Sequence, residues 1–213
     1  MSQSLIADFI ELALSRGVLR FGEFELKSGR ISPYFFNAGL VCDSEASSLL
    51  AKLYASQLID AGVTQLFGAA YKGIPLAAGV AQMLWSEHGA RVDWGYNRKE
   101  AKAHGEGGQL VGAPVSGQPV WIIDDVITAG TAMREVISLL KAQGAQIAGV
   151  IVALDRKERG VGASSAIEEL KAEGYRVEAL FSIDEIIEYV AASPKLKVHL
   201  SAMQSYRETY GVG

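Results

Sequence analysis

Two adjacent carboxylates, Asp124 and Asp125, follow an unbroken apolar run, Val120-Trp121-Ile122-Ile123. After them come Val126 and Ile127, then a stretch of small residues, Thr128-Ala129-Gly130-Thr131-Ala132. A small-residue loop that opens a helix presents backbone N–H groups to an anion, and Gly130 removes the Cβ that would hold a phosphate away. Carboxylates beside such a cradle repel the anion unless they accept hydrogen bonds from hydroxyl groups or sit near a divalent cation. A ligand with a phosphate, a sugar diol and Mg²⁺ meets all of these demands. The alternative is a strand-to-helix turn carrying two solvated aspartates.

The elements that must position these groups can be read on either side. The apolar run is the pattern of a strand buried on both faces, and Met133, Val136, Ile137, Leu139 and Leu140 follow at helical spacing. The loop between them then lies beyond the carboxyl end of a strand, where open α/β sheets bind ligands. Consecutive strand residues face opposite ways, so Asp124 and Asp125 have unequal roles unless the strand has already ended. A second unit of this kind runs from a short strand, Gln65 to Ala70, through Tyr71-Lys72-Gly73-Ile74 to a helix with Pro75 near its first position. It lacks the Walker spacing and is either an ordinary turn or a second anion loop. A third strand, Gln146 to Asp155, ends at Arg156, which either neutralises Asp155 or pairs with a ligand carboxylate.

The remaining chain reads as scaffold around these units. Residues 3–16 form a packing helix stopped by Gly17, and residues 44–61 form a second amphipathic helix. Residues 18–30 are extended, close in a Ser28-Gly29 turn and return through Ser32-Pro33-Tyr34-Phe35-Phe36-Asn37. Taken alone, Tyr34, Phe35 and Phe36 favour core packing over a platform for a flat anionic ring. Val92 to Tyr96 is extended. Residues 97–108 carry Arg98, Lys99, Lys102 and His104 with few apolar side chains, the composition of a solvated loop or a mobile cationic lid. A short strand at 108–112, helices over 164–173 and about 184–192 around an extended 175–181, and a closing helix over 194–210 complete the reading.

Composition limits the functional classes. A net charge of −4 gives no footprint for nucleic acid or anionic membrane, so any basic site is local. No run is long enough to span a bilayer and no signal peptide is expected, since Asp8 and Glu11 interrupt the first apolar stretch. The single cysteine, Cys42, cannot form an internal disulfide and is read as a small semi-buried hydrophobe, which agrees with a reducing, cytoplasmic setting. His88, His104 and His199 are too far apart for a zinc pair.

Apolar run, Asp-Asp and Thr-x-Gly-Thr together resemble the phosphoribosyl pyrophosphate (PRPP) signature of the type I phosphoribosyltransferases. Phe-Gly-Glu-Phe from Phe21, Leu-Lys-Ser-Gly-Arg from Leu26, Ser-Pro-Tyr-Phe-Phe-Asn from Ser32 and the stretch Arg98 to Gly108 resemble the orotate phosphoribosyltransferase family in particular. The resemblance implies an α/β fold with a mostly parallel central sheet flanked by helices. It implies one domain over residues 1–213, with a small N-terminal hood at about 18–41. It assigns catalysis to Lys72, Lys102, His104, Asp124 and Asp125. PRPP would be bound by Lys27, Tyr71, Lys72, Arg98, Lys99, Lys102, His104 and the run Asp124, Asp125, Val126, Ile127, Thr128, Ala129, Gly130, Thr131 and Ala132. Orotate would be bound by Phe35, Phe36, Thr128 and Arg156. The resemblance further implies Mg²⁺ held through substrate and water with no dedicated protein ligands. It also implies a homodimer in which loop 98–108 serves the neighbouring site. The acidic balance and the intact lid argue against a PRPP-sensing, nucleic-acid-binding regulator.

Overall fold

The computed structural model describes residues 3–26, 28–102, 108–160 and 162–212. It is an α/β fold built on a six-stranded sheet with the order β5-β4-β3-β6-β7-β8. The strands are β3 (Gln65–Gly68), β4 (Asp93–Lys102), β5 (Gly108–Gly112), β6 (Pro119–Val126), β7 (Gln146–Asp155) and β8 (Val177–Ser182). All neighbours pair in parallel except β4 and β5, an antiparallel hairpin at one edge. A separate antiparallel pair, β1 (Leu19–Glu25) and β2 (Ile31–Phe36), forms the hood.

Helices cover both faces, as a parallel sheet buried on both sides requires. One face carries α1 (Gln3–Ser15), α2 (Ser44–Asp60), α3 (Gly73–His88), α6 (Ile183–Ala192) and α7 (Leu200–Tyr210), and its apolar cluster extends into the hood through Tyr34 and Phe36. The other face carries α4 (Thr131–Ala142) and α5 (Ala166–Ala172) over Val120, Ile122, Val150 and Val152. The helices begin where capping chemistry allows. Asp43 accepts from Ala46 N–H ahead of α2, and Ser165 and Ser182 form capping boxes with Glu168 and Glu185.

Trp121 is buried within β6, where an aliphatic residue would be the usual choice. Its space comes from the next strand. A Cβ on Gly149 would lie 2.5 Å from the indole ring, and the β6–β7 register shifts between Val120 and Trp121. Arg176 covers the ring at 4.9 Å.

Three expectations are corrected. Residues 97–102 are not loop: they continue β4, because β5 supplies a hydrogen-bonding partner that composition cannot show. The closing helix starts at Leu200 rather than 194, after a short 3-10 turn at Lys197–His199. Cys42 is exposed, just ahead of the residue that caps α2.

Candidate active site

β6 runs through Asp125 to Val126, so the acid pair lies within the strand, yet the two carboxyls stay close enough to interact. Asp125 is 5% exposed and accepts a hydrogen bond from Lys72 Nζ at 2.6 Å. Asp124 is less buried, and its Oδ1 accepts from the Asp125 N–H at 2.9 Å while its carbonyl accepts from Tyr54 Oη at 2.8 Å. Burial, and then the charge of Asp125, push the Asp124 carboxyl up to about 7, against the opposing pull of the Asp125 N–H and Lys72. The two acids thus differ: one is locked in an ion pair, the other is a carboxyl that titrates near neutrality.

Lys72 reaches Asp125 because glycines let three backbones meet. A Cβ on Gly68, the last residue of β3, would lie 2.3 Å from the Gly73 carbonyl oxygen, and one on Gly73 would lie 2.4 Å from that of Ile123 in β6. Ala69 N–H donates to the same Ile123 carbonyl at 3.2 Å, and Ala70 N–H donates to Asn97 Oδ1 of β4 at 3.0 Å. Loop 69–72 is therefore fastened across the sheet end, with the Ala70–Tyr71 peptide cis. Tyr71 is exposed, and Lys99 Nζ sits 4.8 Å from its ring centre. Two cations, Lys72 and Lys99, thus flank this loop.

After β6, Thr128, Ala129, Thr131 and Ala132 are exposed while Gly130 is buried in the left-handed region at φ 75°. Gly130 opens α4 with no side-chain cap, leaving first-turn N–H groups for an anion. Arg134 backs the loop. Its Nη1 donates to the Ala129 carbonyl at 3.4 Å, and its other nitrogens meet Glu169 at 3.0 Å and Glu173 at 2.7 Å.

The hood docks over the end of β7, one strand away from the acids. Arg156 pairs with Glu158 at 2.6 Å rather than with Asp155, whose Oδ1 instead accepts from Lys157 N–H at 2.8 Å. The guanidinium lies 4.4 Å from the centre of the Tyr34 ring of β2. Strand alternation separates the three hood aromatics. Tyr34 and Phe36 turn into the core, Phe36 against Phe181 at 6.1 Å, whereas Phe35 faces the other way, stacked on Phe24 at 5.5 Å with Arg20 at 5.6 Å. A three-ring platform is therefore not formed.

The structure thus gathers Tyr71, Lys72, Lys99, Asp124, Asp125 and the cradle from Val126 to Ala132 at the ends of β3, β4 and β6. Arg156 lies beyond the end of adjacent β7. Arg98 is on the same β4 hairpin, its Nη1 3.4 Å from the Gly108 carbonyl. Lys27 and His104 lie outside the described residues; Lys102 ends β4, and its side chain is also outside them. Among the described residues no group of three or more His, Cys, Asp or Glu could hold a metal. Sequence reading missed Tyr54, Asn97, Arg134 and Glu158, each of which acts by reaching an element distant in the chain or around a turn; their residue types carry no spacing signal.

A cradle at the end of a parallel strand, with an acid pair before it, defines the phosphoribosyltransferase class, and residues 43–171 match the phosphoribosyl transferase domain family. The chain is 60% identical over 206 residues to orotate phosphoribosyltransferase of Acinetobacter baumannii, covering 96% of this chain and 95% of the relative. It is 55% identical over 213 residues to the Pseudomonas aeruginosa protein of that name, covering 99% and 100%. The crystal structure of orotate phosphoribosyltransferase from Francisella tularensis superposes with a TM-score of 0.86 at 40% identity, over 96% of this chain and all of that one. The chain belongs to the orotate phosphoribosyltransferase family.

Proposed function

We propose that the protein transfers the 5-phosphoribosyl group of PRPP to orotate, giving orotidine 5′-monophosphate and diphosphate in de novo pyrimidine synthesis. The observation that carries this is the adjacency, along one sheet end, of the Lys72–Asp125 pair, the Gly130 cradle and Arg156.

The reaction is a displacement at the anomeric carbon through an oxocarbenium-like transition state, as glycosyl chemistry favours. Backbone N–H groups of 128–132 hold the 5′-phosphate. Asp124 and Asp125 accept hydrogen bonds from the ribose hydroxyls. Lys72 donates once to Asp125 and keeps two donors for the diphosphate. Lys99, Arg98, Lys102 and His104 add positive charge as the diphosphate leaves, where charge stabilisation matters most. Arg156 pairs with the carboxylate of orotate, and Phe35 of the hood, with Thr128, contacts the base, whereas Phe36 is taken up by the core. Lys27 would join the PRPP contacts. Bound Mg²⁺, held through substrate oxygens and water, would offset diphosphate charge. Among the described residues none is set up as an activated nucleophile, so no covalent enzyme intermediate is expected. The β4–β5 hairpin is proposed to close over the site of a second subunit in a homodimer, and the enzyme to work in the cytoplasm.

The test is the ultraviolet absorbance of orotate with purified protein, PRPP and Mg²⁺. A fall that needs all of them, matched by diphosphate release, supports the reading. PRPP binding with no change in orotate points to another base, and no PRPP binding sinks the cradle assignment.

A further inference from the structure

Arg156 is held on more sides than pairing with a ligand requires. Its Nε and Nη2 both donate to Glu158 Oε1, at 2.9 and 2.6 Å, and Nη2 also reaches Ser32 Oγ at 3.4 Å. The two charged side chains are 10% and 15% exposed. Tyr34 lies beneath the guanidinium, and its hydroxyl is 3.4 Å from the same Glu158 oxygen. Tyr206 of α7 meets Tyr34 edge to face at 6.5 Å, and its hydroxyl lies beside Arg156 and Ser32.

Arg156 and Glu158 lie past the end of β7, where a backbone reversal turns their side chains toward each other: Lys157 sits at φ 47°. That reversal is fastened from the far end of the chain. Val212 N–H donates to the Lys157 carbonyl and Arg159 N–H to the Tyr210 carbonyl, each at 2.8 Å, and Glu158 bridges Gly211. Lys157 Nζ also meets Asp184 Oδ2 at 2.6 Å.

We propose that Glu158 is a positioning residue for the base: it occupies the Nε–Nη2 edge of Arg156 so that the Nη1 edge meets the carboxylate of orotate, and residues 210–212 hold the turn that makes this possible. The inference rests on the reading of Arg156 given above. A guanidinium fixed beforehand loses less side-chain freedom when the ligand arrives. Its charge is already balanced, so it reads carboxylate geometry rather than attracting anions in general.

Steady-state kinetics on the full chain test this. Glu158→Ala should raise the orotate KM about tenfold while kcat and the PRPP KM stay within about twofold. Glu158→Gln, whose amide oxygen can still accept from Nε and Nη2, should recover most of the loss and stands in if the alanine variant does not fold. A double variant with Arg156→Ala should be no worse for orotate than Arg156→Ala alone. An unchanged or lowered orotate KM in folded Glu158→Ala overturns the proposal, the lowered value meaning that Glu158 only competes with substrate. Parallel losses for both substrates overturn it in favour of a structural role. If Arg156→Ala itself leaves the orotate KM unchanged, the assignment of Arg156 fails first and the proposal falls with it.

Discussion

Asp124 and Asp125 share a residue type and a neighbourhood, yet the fold separates their chemistry. Asp124 titrates near 7 in the folded chain, above the roughly 3.9 of an unfolded aspartate. The folded state therefore holds this proton more tightly, and its contribution to stability declines as pH rises from about 4 to about 7. Asp124→Asn should remove that slope, seen as a wild-type-minus-variant difference in Tm that becomes more negative across the window. The proposed ribose contact needs the ionised carboxylate, so PRPP affinity should rise through about pH 7 in the wild type relative to Asp124→Asn. Parallel titration curves for the two proteins would contradict the assignment. Lys72 supports the other acid: Lys72→Ala leaves the 7%-exposed carboxylate of Asp125 without its cation. Lys72 is itself half exposed, so the loss should be moderate, about 1–3 kcal/mol by urea denaturation, with a larger loss of turnover.

At the scale of elements, glycine pairs decide how closely strands and loops approach. Gly68 and Gly73 allow α3 to start against the ends of β3 and β6. Gly73→Ala would drive a methyl group into the Ile123 carbonyl, and the backbone shift should separate Lys72 from Asp125. Activity should then fall more than stability, measured by initial rate against melting temperature. Gly149 and Trp121 form a packing pair between β7 and β6. Gly149→Ala should cost about 1–3 kcal/mol through overpacking. Trp121→Leu in the same chain should restore part of it, and simple additivity of the two losses would argue against direct contact.

For the whole molecule, the sheet order places the site. β3 leads to β4 on one side and β6 leads to β7 on the other, so β3 and β6 flank the point where the winding reverses. The carboxyl end of the strands at that point is where open α/β sheets bind ligands, and the Lys72–Asp125 pair spans it. The β4–β5 hairpin lies at the sheet edge. On the proposed lid role, Lys102→Ala should lower kcat far more than PRPP affinity. Mixed dimers of Lys102→Ala with Asp125→Asn should regain one working site. Verified heterodimers without recovered activity would place the lid over its own subunit.

Much of this was determined by the sequence itself, because it is written in short-range patterns. Apolar runs locate β6 and β7, helical spacing locates α1 and α4, and small residues after Asp-Asp mark the cradle; each depends on neighbours a few positions away. The matching motifs extended that reading to the class of enzyme. Only the tertiary structure decided the rest. Packing brought Lys72 onto Asp125, and strand alternation split Phe35 from Tyr34 and Phe36. Arg156 found Glu158 around a left-handed turn instead of its neighbour Asp155. Residues 97–102 became strand because β5 lay ready to pair. The physical reason is common to all of these: they depend on which way a side chain or backbone edge faces and what lies opposite it, which is settled by packing between elements distant in the chain.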